Sequence, residues 1–185
     1  MSASPLDSMT EIRWHSRGGQ GGMTASKLLA EASFRDGNEV TAFSFYGAER
    51  RGAPVSSFTR IDDEPIKLYS RVESPDVVVV LDESLVDLES VTEGLDPGGT
   101  LVMNTRNPDL VEFDGRVFIV DASDIAREYD LQADGTAIVN TPMLGAVAAT
   151  GLIDVDTVET VVDEHFGQAN AGAVRAAYER TEGVN

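Results

Sequence analysis

The amino-acid sequence predicts one α/β domain of three layers, a mostly parallel sheet with helices on both faces and an antiparallel hairpin. Three observations predict it. Short β-branched runs alternate with segments of helical period along residues 11–180. A glycine-rich loop joins the first of these strands to the first helix. The run DVVVVL at 76–81 has the continuous apolar character of a strand covered on both faces, as parallel strands are. The chain carries 14 basic against 32 acidic side chains, a net charge of −18, which disfavours nucleic acid and anionic membranes as partners. With 42% apolar residues it can nevertheless fold.

Residues 11–16 (EIRWHS) alternate as a half-buried strand does, and Arg17-Gly18-Gly19-Gln20-Gly21-Gly22 follows at once. Ala25, Leu28, Leu29 and Ala32 then recur at helical spacing until Asp36-Gly37 supplies a stop. Residues 39–45 (EVTAFSF) read as a second strand, so the opening is one right-handed parallel crossover. Residues 55–61 and 66–69 read as a hairpin across Asp62-Asp63-Glu64-Pro65. After the 76–81 strand come a short helix at 83–91, strands at 100–104 and 116–121, and helices at 122–129, 141–150, 155–166 and 169–180. The sum is a single Rossmann-like domain over 11–180, preceded by a disordered tail at 1–10.

The absence of cysteine excludes disulfides, thiolate chemistry and cysteine-held zinc or iron-sulfur groups. The longest apolar run, 77–81, is far too short for a membrane span, and the first ten residues lack the features of a targeting segment. A cytoplasmic location is the expectation. Twelve arginines stand against Lys27 and Lys67 alone, which reads as halophilic, an acidic surface suited to concentrated salt; ordinary acidic drift is the plain alternative.

Chemistry is sought where strands end. A glycine loop opening a helix aims backbone N–H groups and the positive end of the helix dipole at one point, which favours an anionic oxygen by about 0.3 to 1 kcal/mol. The dinucleotide fingerprint is incomplete, since Thr24 stands where a third glycine belongs and Phe43-Ser44-Phe45 ends the second strand without an acid. No Gly-Lys-Ser/Thr follows, so this is no Walker loop. Phosphate seat and structural turn both remain open on pattern alone.

Arg17-Gly18-Gly19-Gln20-Gly21 is followed by Tyr46-Gly47-Ala48-Glu49-Arg50-Arg51-Gly52-Ala53-Pro54, then by Phe58-Thr59-Arg60-Ile61-Asp62-Asp63 with Pro65-Ile66. Pro75-Asp76 precedes the buried strand, and Asn140-Thr141 leads Met143-Leu144-Gly145-Ala146. In order and spacing these resemble the gamma subunit of the pyruvate and related 2-oxoacid:ferredoxin oxidoreductases, from about residue 11 to residue 150. Two departures stand out, Ser16 where a glycine is common and Gly22 where a small non-glycine is usual.

The resemblance implies one subunit of a complex that oxidatively decarboxylates a 2-oxoacid to its acyl-CoA and passes electrons to ferredoxin. It implies thiamine diphosphate, magnesium and iron-sulfur clusters on partners: alpha and beta subunits and a ferredoxin-like delta subunit or domain. This chain has neither a Gly-Asp-Gly stretch leading to an Asn-Asn pair nor a cysteine, so no catalytic and no metal-ligating residue is expected here. Arg17, Gly18, Gly19, Gln20 and Gly21 are the expected coenzyme A contacts, with Glu49, Arg50, Arg51, Asn140 and Thr141 at the same crevice or at a subunit boundary. A free-standing nucleotide-binding oxidoreductase and a purely structural assembly subunit are the competing readings.

Plainer roles are expected elsewhere. Trp14 reads as core or subunit contact, His15 as a hydrogen-bonded structural histidine, His165 as surface, and Asp82 as a cap for the helix after it. Asn140-Thr141-Pro142 reads as a helix start, and Glu83, Asp87 and Glu89 as a solvated face.

Overall fold

The first strand sorts its side chains by alternation. In β1 (Thr10–Arg17), Ile12 and Trp14 enter the main core with no exposed surface, while Arg13 and His15 face the other side of the sheet. The computed structural model describes residues 9–45, 52–68, 70–88, 90–110 and 112–184. The expected tail at 1–10 lies outside them up to residue 8, and Thr10 already belongs to β1.

The chain continues through α1 (Gly22–Arg35), β2 (Glu39–Phe45), β3 (Pro54–Asp62), β4 (Val77–Val80), β5 (Thr100–Asn104) and β6 (Arg116–Val120). There follow α2 (Ala122–Glu128), the two-residue strands β7 (Gln132–Ala133) and β8 (Thr136–Ala137), α3 (Asn140–Ala149), α4 (Val155–Phe166), α5 (Gln168–Arg180) and β9 (Glu182–Gly183). Seven strands form one sheet in the order β2-β3-β1-β4-β5-β6-β9. Strands β1, β4, β5 and β6 are parallel, β3 is antiparallel to both β1 and β2, and β9 is antiparallel to β6. The α/β architecture therefore stands. β1 and β2 do run in one direction, but the expected crossover has β3 inserted between its two strands.

One side of the sheet carries the larger core, to which all five helices contribute, including Leu28, Ile125, Met143, Val161 and Val174. Trp14 is its central post: the indole N–H donates to Thr59 Oγ1 at 3.0 Å, and that hydroxyl donates to the Ser26 carbonyl at 3.1 Å. β1, β3 and α1 are thus tied by one fully satisfied buried polar chain.

The other side differs from the expected helical layer. A smaller core of Val78, Val80, Leu101 and Met103 is covered by Leu85, Val91 and Leu95 from irregular chain. The expected helix at 83–91 shrinks to a 3₁₀ turn at Glu83–Leu85, closed by i−3 bonds from Leu85 and Val86. Ser84, Asp87 and Ser90 weaken helix here because such side chains compete for local backbone groups. Asp82 caps this turn as expected, accepting from Ser84 N–H at 3.0 Å.

The hairpin expected from 55–61 and 66–69 is also relocated. Residues 66–68 form no strand, and β3 pairs instead with β2 and β1. The cause is Arg60, whose guanidinium takes the carbonyls of Leu68 and Ser70 at 3.2 and 2.9 Å and so pins that segment across the sheet face. A second antiparallel hairpin, β7–β8, turns on Asp134 and Gly135, both at positive φ, as a type I′ turn requires. Among the described residues no helix is long and apolar enough to cross a membrane.

Candidate functional site

Because β1, β4, β5 and β6 are parallel, their carboxyl ends meet at one rim, the usual ligand position in such sheets. The glycine loop leaves β1 there. Gly21 is the N-cap of α1 in the left-handed conformation, φ 82°, with no side-chain cap bond and no acid in the first turn. Its loop partners are internal. Gln20 Oε1 accepts from Arg17 N–H at 2.7 Å, and Gln20 Nε2 donates to Asp82 Oδ2 at 2.7 Å.

Arg17 is held equally firmly. Its Nε and Nη2 donate to Ser84 Oγ at 3.1 and 2.7 Å, its Nη1 to the Gly52 carbonyl at 2.9 Å, and Asp82 lies 3.4 Å from Nε. Asp82 is the hub of these contacts. Burial works to raise its carboxyl, but the Ser84 and Gln20 hydrogen bonds and the Arg17 charge outweigh burial and hold it below the ordinary aspartate range. The carboxylate consequently stays ionised at neutral pH and keeps the loop docked on the end of β4.

The later motif comes to the same place. Asn140, 7% exposed at the start of α3, lies against Gly21 so closely that a methyl group on Gly21 would sit 2.7 Å from Asn140 Nδ2. Thr141 N–H donates to Asn140 Oδ1 at 2.8 Å, and Pro142 follows within the first turn, as expected of a helix start. Thr141 itself is fully buried and gives its hydroxyl to Asn170 Oδ1 at 3.0 Å, so it packs α3 on α5. Glu49, Arg50 and Arg51 lie outside the described residues.

Gly18 and Gly21 are part-exposed and Gly19 exposed on the loop, whereas Gly22 is buried against Ser16. A methyl group on Gly22 would lie 2.3 Å from Ser16 Oγ and 2.8 Å from Ser16 Cβ, so the two sequence departures compensate each other. Gly22→Ala is expected to lower stability by about 1–3 kcal/mol through overpacking. Ser16→Gly in the same chain should recover most of that loss, giving a coupling in a double-mutant cycle that urea unfolding can measure.

Beside the loop, a crevice of about 750 Å³ opens over the ends of β4, β5 and β6. Gln20 and Asp82 form one wall; Asn104, Arg106, Asp121 and Ser123 form another, and the β7–β8 hairpin supplies Thr136. Asn104 fixes the floor, donating to the Leu81 carbonyl at 2.9 Å and to Ser123 Oγ at 3.0 Å. Arg106 pairs with Asp121 at the mouth, and Arg127 adds a second guanidinium. Sequence reading missed these residues, although polar side chains at the ends of consecutive parallel strands were the available signal. The remaining assignments fall into place: Trp14 is core, buried His15 accepts from Arg13 Nε at 3.0 Å, and exposed His165 pairs with Glu31 at 2.8 Å. Glu83 and Asp87 are exposed, and Glu83 accepts from Thr105 Oγ1 at 2.6 Å; Glu89 lies outside the described residues.

Comparison with known proteins identifies the family and the fold. The pyruvate ferredoxin/flavodoxin oxidoreductase family model matches residues 11–180. The common subunit gamma of the pyruvate/ketoisovalerate oxidoreductases of Thermococcus litoralis is 47% identical over 184 residues, covering 94% of this chain and 97% of that protein. Pyruvate synthase subunit PorC of Methanothermobacter thermautotrophicus is 49% identical over 179 residues, covering 94% and 97%. The crystal structure of pyruvate oxidoreductase subunit PORC from Thermotoga maritima superposes with a TM-score of 0.83 at 40% identity, covering 97% of this chain and 100% of that one. The chain belongs to the pyruvate ferredoxin/flavodoxin oxidoreductase family, alongside these gamma-type subunits.

Proposed function

We propose that this chain serves as the gamma subunit of a multi-chain 2-oxoacid:ferredoxin oxidoreductase, with pyruvate as the 2-oxoacid, and that its own task is to hold coenzyme A. In the overall reaction the 2-oxoacid loses carbon dioxide, two electrons pass to ferredoxin, and the acyl carbon is taken by the coenzyme A thiol, whose proton is released. Alpha and beta subunits with thiamine diphosphate and magnesium, and a ferredoxin-like delta subunit with iron-sulfur clusters, carry the bond-breaking and electron transfer. A chain without cysteine cannot hold a cysteine-ligated cluster, which fits that division. The same reading puts the complex in the cytoplasm and matches the acidic surface to concentrated salt.

The observation that carries the coenzyme A assignment is the uncapped start of α1, reached through Gly18, Gly19, Gln20 and Gly21 at the rim where parallel strands end. Backbone N–H groups there suit phosphate oxygens. Arg17 and Gln20 contribute by anchoring the loop to Asp82 and Ser84. Fixing the carrier in this way presents its thiol to the acyl group, and such positioning lowers a barrier without any chemistry by the holder.

A second reading, a brace for the partner subunits alone, is favoured by one observation: all three nitrogens of the Arg17 guanidinium already donate within the chain. One experiment separates the two. In the assembled complex, Arg17→Ala is expected to raise the apparent KM for coenzyme A about tenfold while kcat at saturation is retained, since loosening a charge-assisted anchor costs that much. An unchanged coenzyme A requirement would leave the brace as the function of this loop.

A further inference from the structure

We propose that a canyon on the side of the sheet away from the five α-helices is the dock for a partner chain of the complex, which inserts an acidic side chain over β1 and β3. The inference rests on the reading that this chain works as one subunit of several. It stands apart from the coenzyme A assignment, and the canyon shares no lining residue with the crevice.

Two arginines build the canyon. Arg60 on β3 pins one segment by the carbonyls of Leu68 and Ser70, and Arg13 on β1 pins another, its Nη2 donating to the carbonyls of Val91 and Glu93 at 3.1 and 2.5 Å. The two segments are held as separate banks, and between them lies a cavity of about 750 Å³. Its floor is sheet: Arg13 and Phe58 stand side by side on β1 and β3, as do His15 and Ser56. Arg71 and Glu73 belong to one bank, Ser90 and Glu93 to the other. Banks tied to the sheet in this way keep their shape before anything docks, which lowers the ordering cost of binding.

Charge decides the occupant. Across the chain acidic side chains outnumber basic ones by 32 to 14, yet the canyon gathers Arg13, Arg71 and one of the two histidines against Glu73 and Glu93. The floor groups also lie deeper, since His15 is 6% exposed and Arg13 part-buried, whereas both glutamates are exposed. A guanidinium carries five N–H donors and takes several acceptors at once, so Arg13 and Arg71 suit the fork of a carboxylate. Each bank carries an exposed leucine close by, Leu68 at 47% and Leu88 at 61%, apolar surface of the kind that packs around a charged anchor. A free small acid would leave both leucines in water; a protein segment with apolar residues beside its Asp or Glu covers them. Elsewhere on so acidic a chain the same segment meets repulsion, so the canyon also fixes where it lands.

The test exploits the absence of cysteine. Ser90→Cys puts a single thiol on one exposed bank, and maleimide labelling of the full-length chain is read by mass before and after assembly with the partner subunits. Labelling is expected to slow about tenfold or more in the complex, because a docked segment excludes solvent from the bank. Arg71→Glu is expected to raise the dissociation constant for the partner subunits about tenfold at low salt, a difference that shrinks as salt rises. Arg71→Gln, which adds no charge, should give a smaller rise in the same direction, and Lys27→Glu, the same charge reversal on the exposed side of α1, should give none. Melting curves of the free variant chains keep a folding defect out of the comparison. Equal labelling in free chain and complex would overturn the proposal. So would protection that already grows with concentration in the free chain, which makes the occupant a second copy. Parent-like binding by both Arg71 variants would overturn the acidic occupant, and an equal loss in Lys27→Glu would trace the effect to overall charge and overturn it too. If the parent chain joins no partner subunits, the reading beneath it falls and takes the inference with it.

Discussion

Arg60→Met is expected to destabilise the fold by about 3–5 kcal/mol, the largest effect of any single exchange considered, because it breaks a buried ion pair from one side. The Arg60 side chain is 1% exposed, and its Nε donates to Glu11 Oε1 at 2.6 Å. Its two Nη atoms hold the carbonyls of Leu68 and Ser70, and its guanidinium lies 5.3 Å from the centre of the Phe43 ring. Methionine fills similar volume but leaves a carboxylate and two carbonyls without their donor. Urea unfolding should show a large fall in midpoint at nearly constant m-value. Glu11→Gln retains a hydrogen-bonding oxygen and is expected to cost well under half as much. A loss below about 1 kcal/mol for Arg60→Met would mean that water replaces the guanidinium at no penalty.

Gly145→Ala is expected to be nearly as damaging. A methyl group there would lie 2.1 Å from the Val174 carbonyl oxygen and 3.0 Å from the Tyr178 backbone nitrogen, so α3 and α5 could not keep their spacing. No rotamer change relieves a clash with main chain. Residues 140–148 of α3 are all buried, which leaves the helix nowhere to shift. Overpacking usually costs about 1–3 kcal/mol, and this backbone contact belongs at the upper end. For a chain of this length the melting temperature should fall by roughly 6–12 °C. A much smaller fall would show that the α3–α5 contact is softer than its geometry implies.

How far the fold was legible in the sequence depended on whether a feature is local. The strands at 10–17, 39–45, 54–62 and 100–104 and the four longer helices were readable from period and stop signals, because each is set by its own apolar spacing. The position of β3 between β1 and β2 was not. That choice depends on contacts 40 or more residues apart, such as Trp14 with Thr59, which no local pattern encodes. The expected strand does not form at 66–68 for a related reason, since Arg60 captures the Leu68 and Ser70 carbonyls from another element; residue 69 lies outside the described residues. The β7–β8 turn was legible in principle through Asp134-Gly135 and was overlooked.

The candidate site divided in the same way. Gly21 and Asn140 both stood out as motifs, yet their contact across more than a hundred residues emerges only when α3 is placed beside α1. The coupling of Ser16 to Gly22 looked like two unrelated departures until their side-by-side packing was visible. Asn104, Asp121 and Ser123 gave no motif, because their role comes from three strands ending at a common level.

The strand order has a consequence for how this polypeptide meets other molecules. On one flank the sheet finishes with β9, two residues long and carrying Glu182, a short charged margin of the kind that discourages unwanted annealing to a foreign strand. Among the described residues the opposite flank finishes with β2, a strand of seven residues and so a far longer margin. An incoming ribbon of protein would find more main chain to pair with along the β2 flank than along β9.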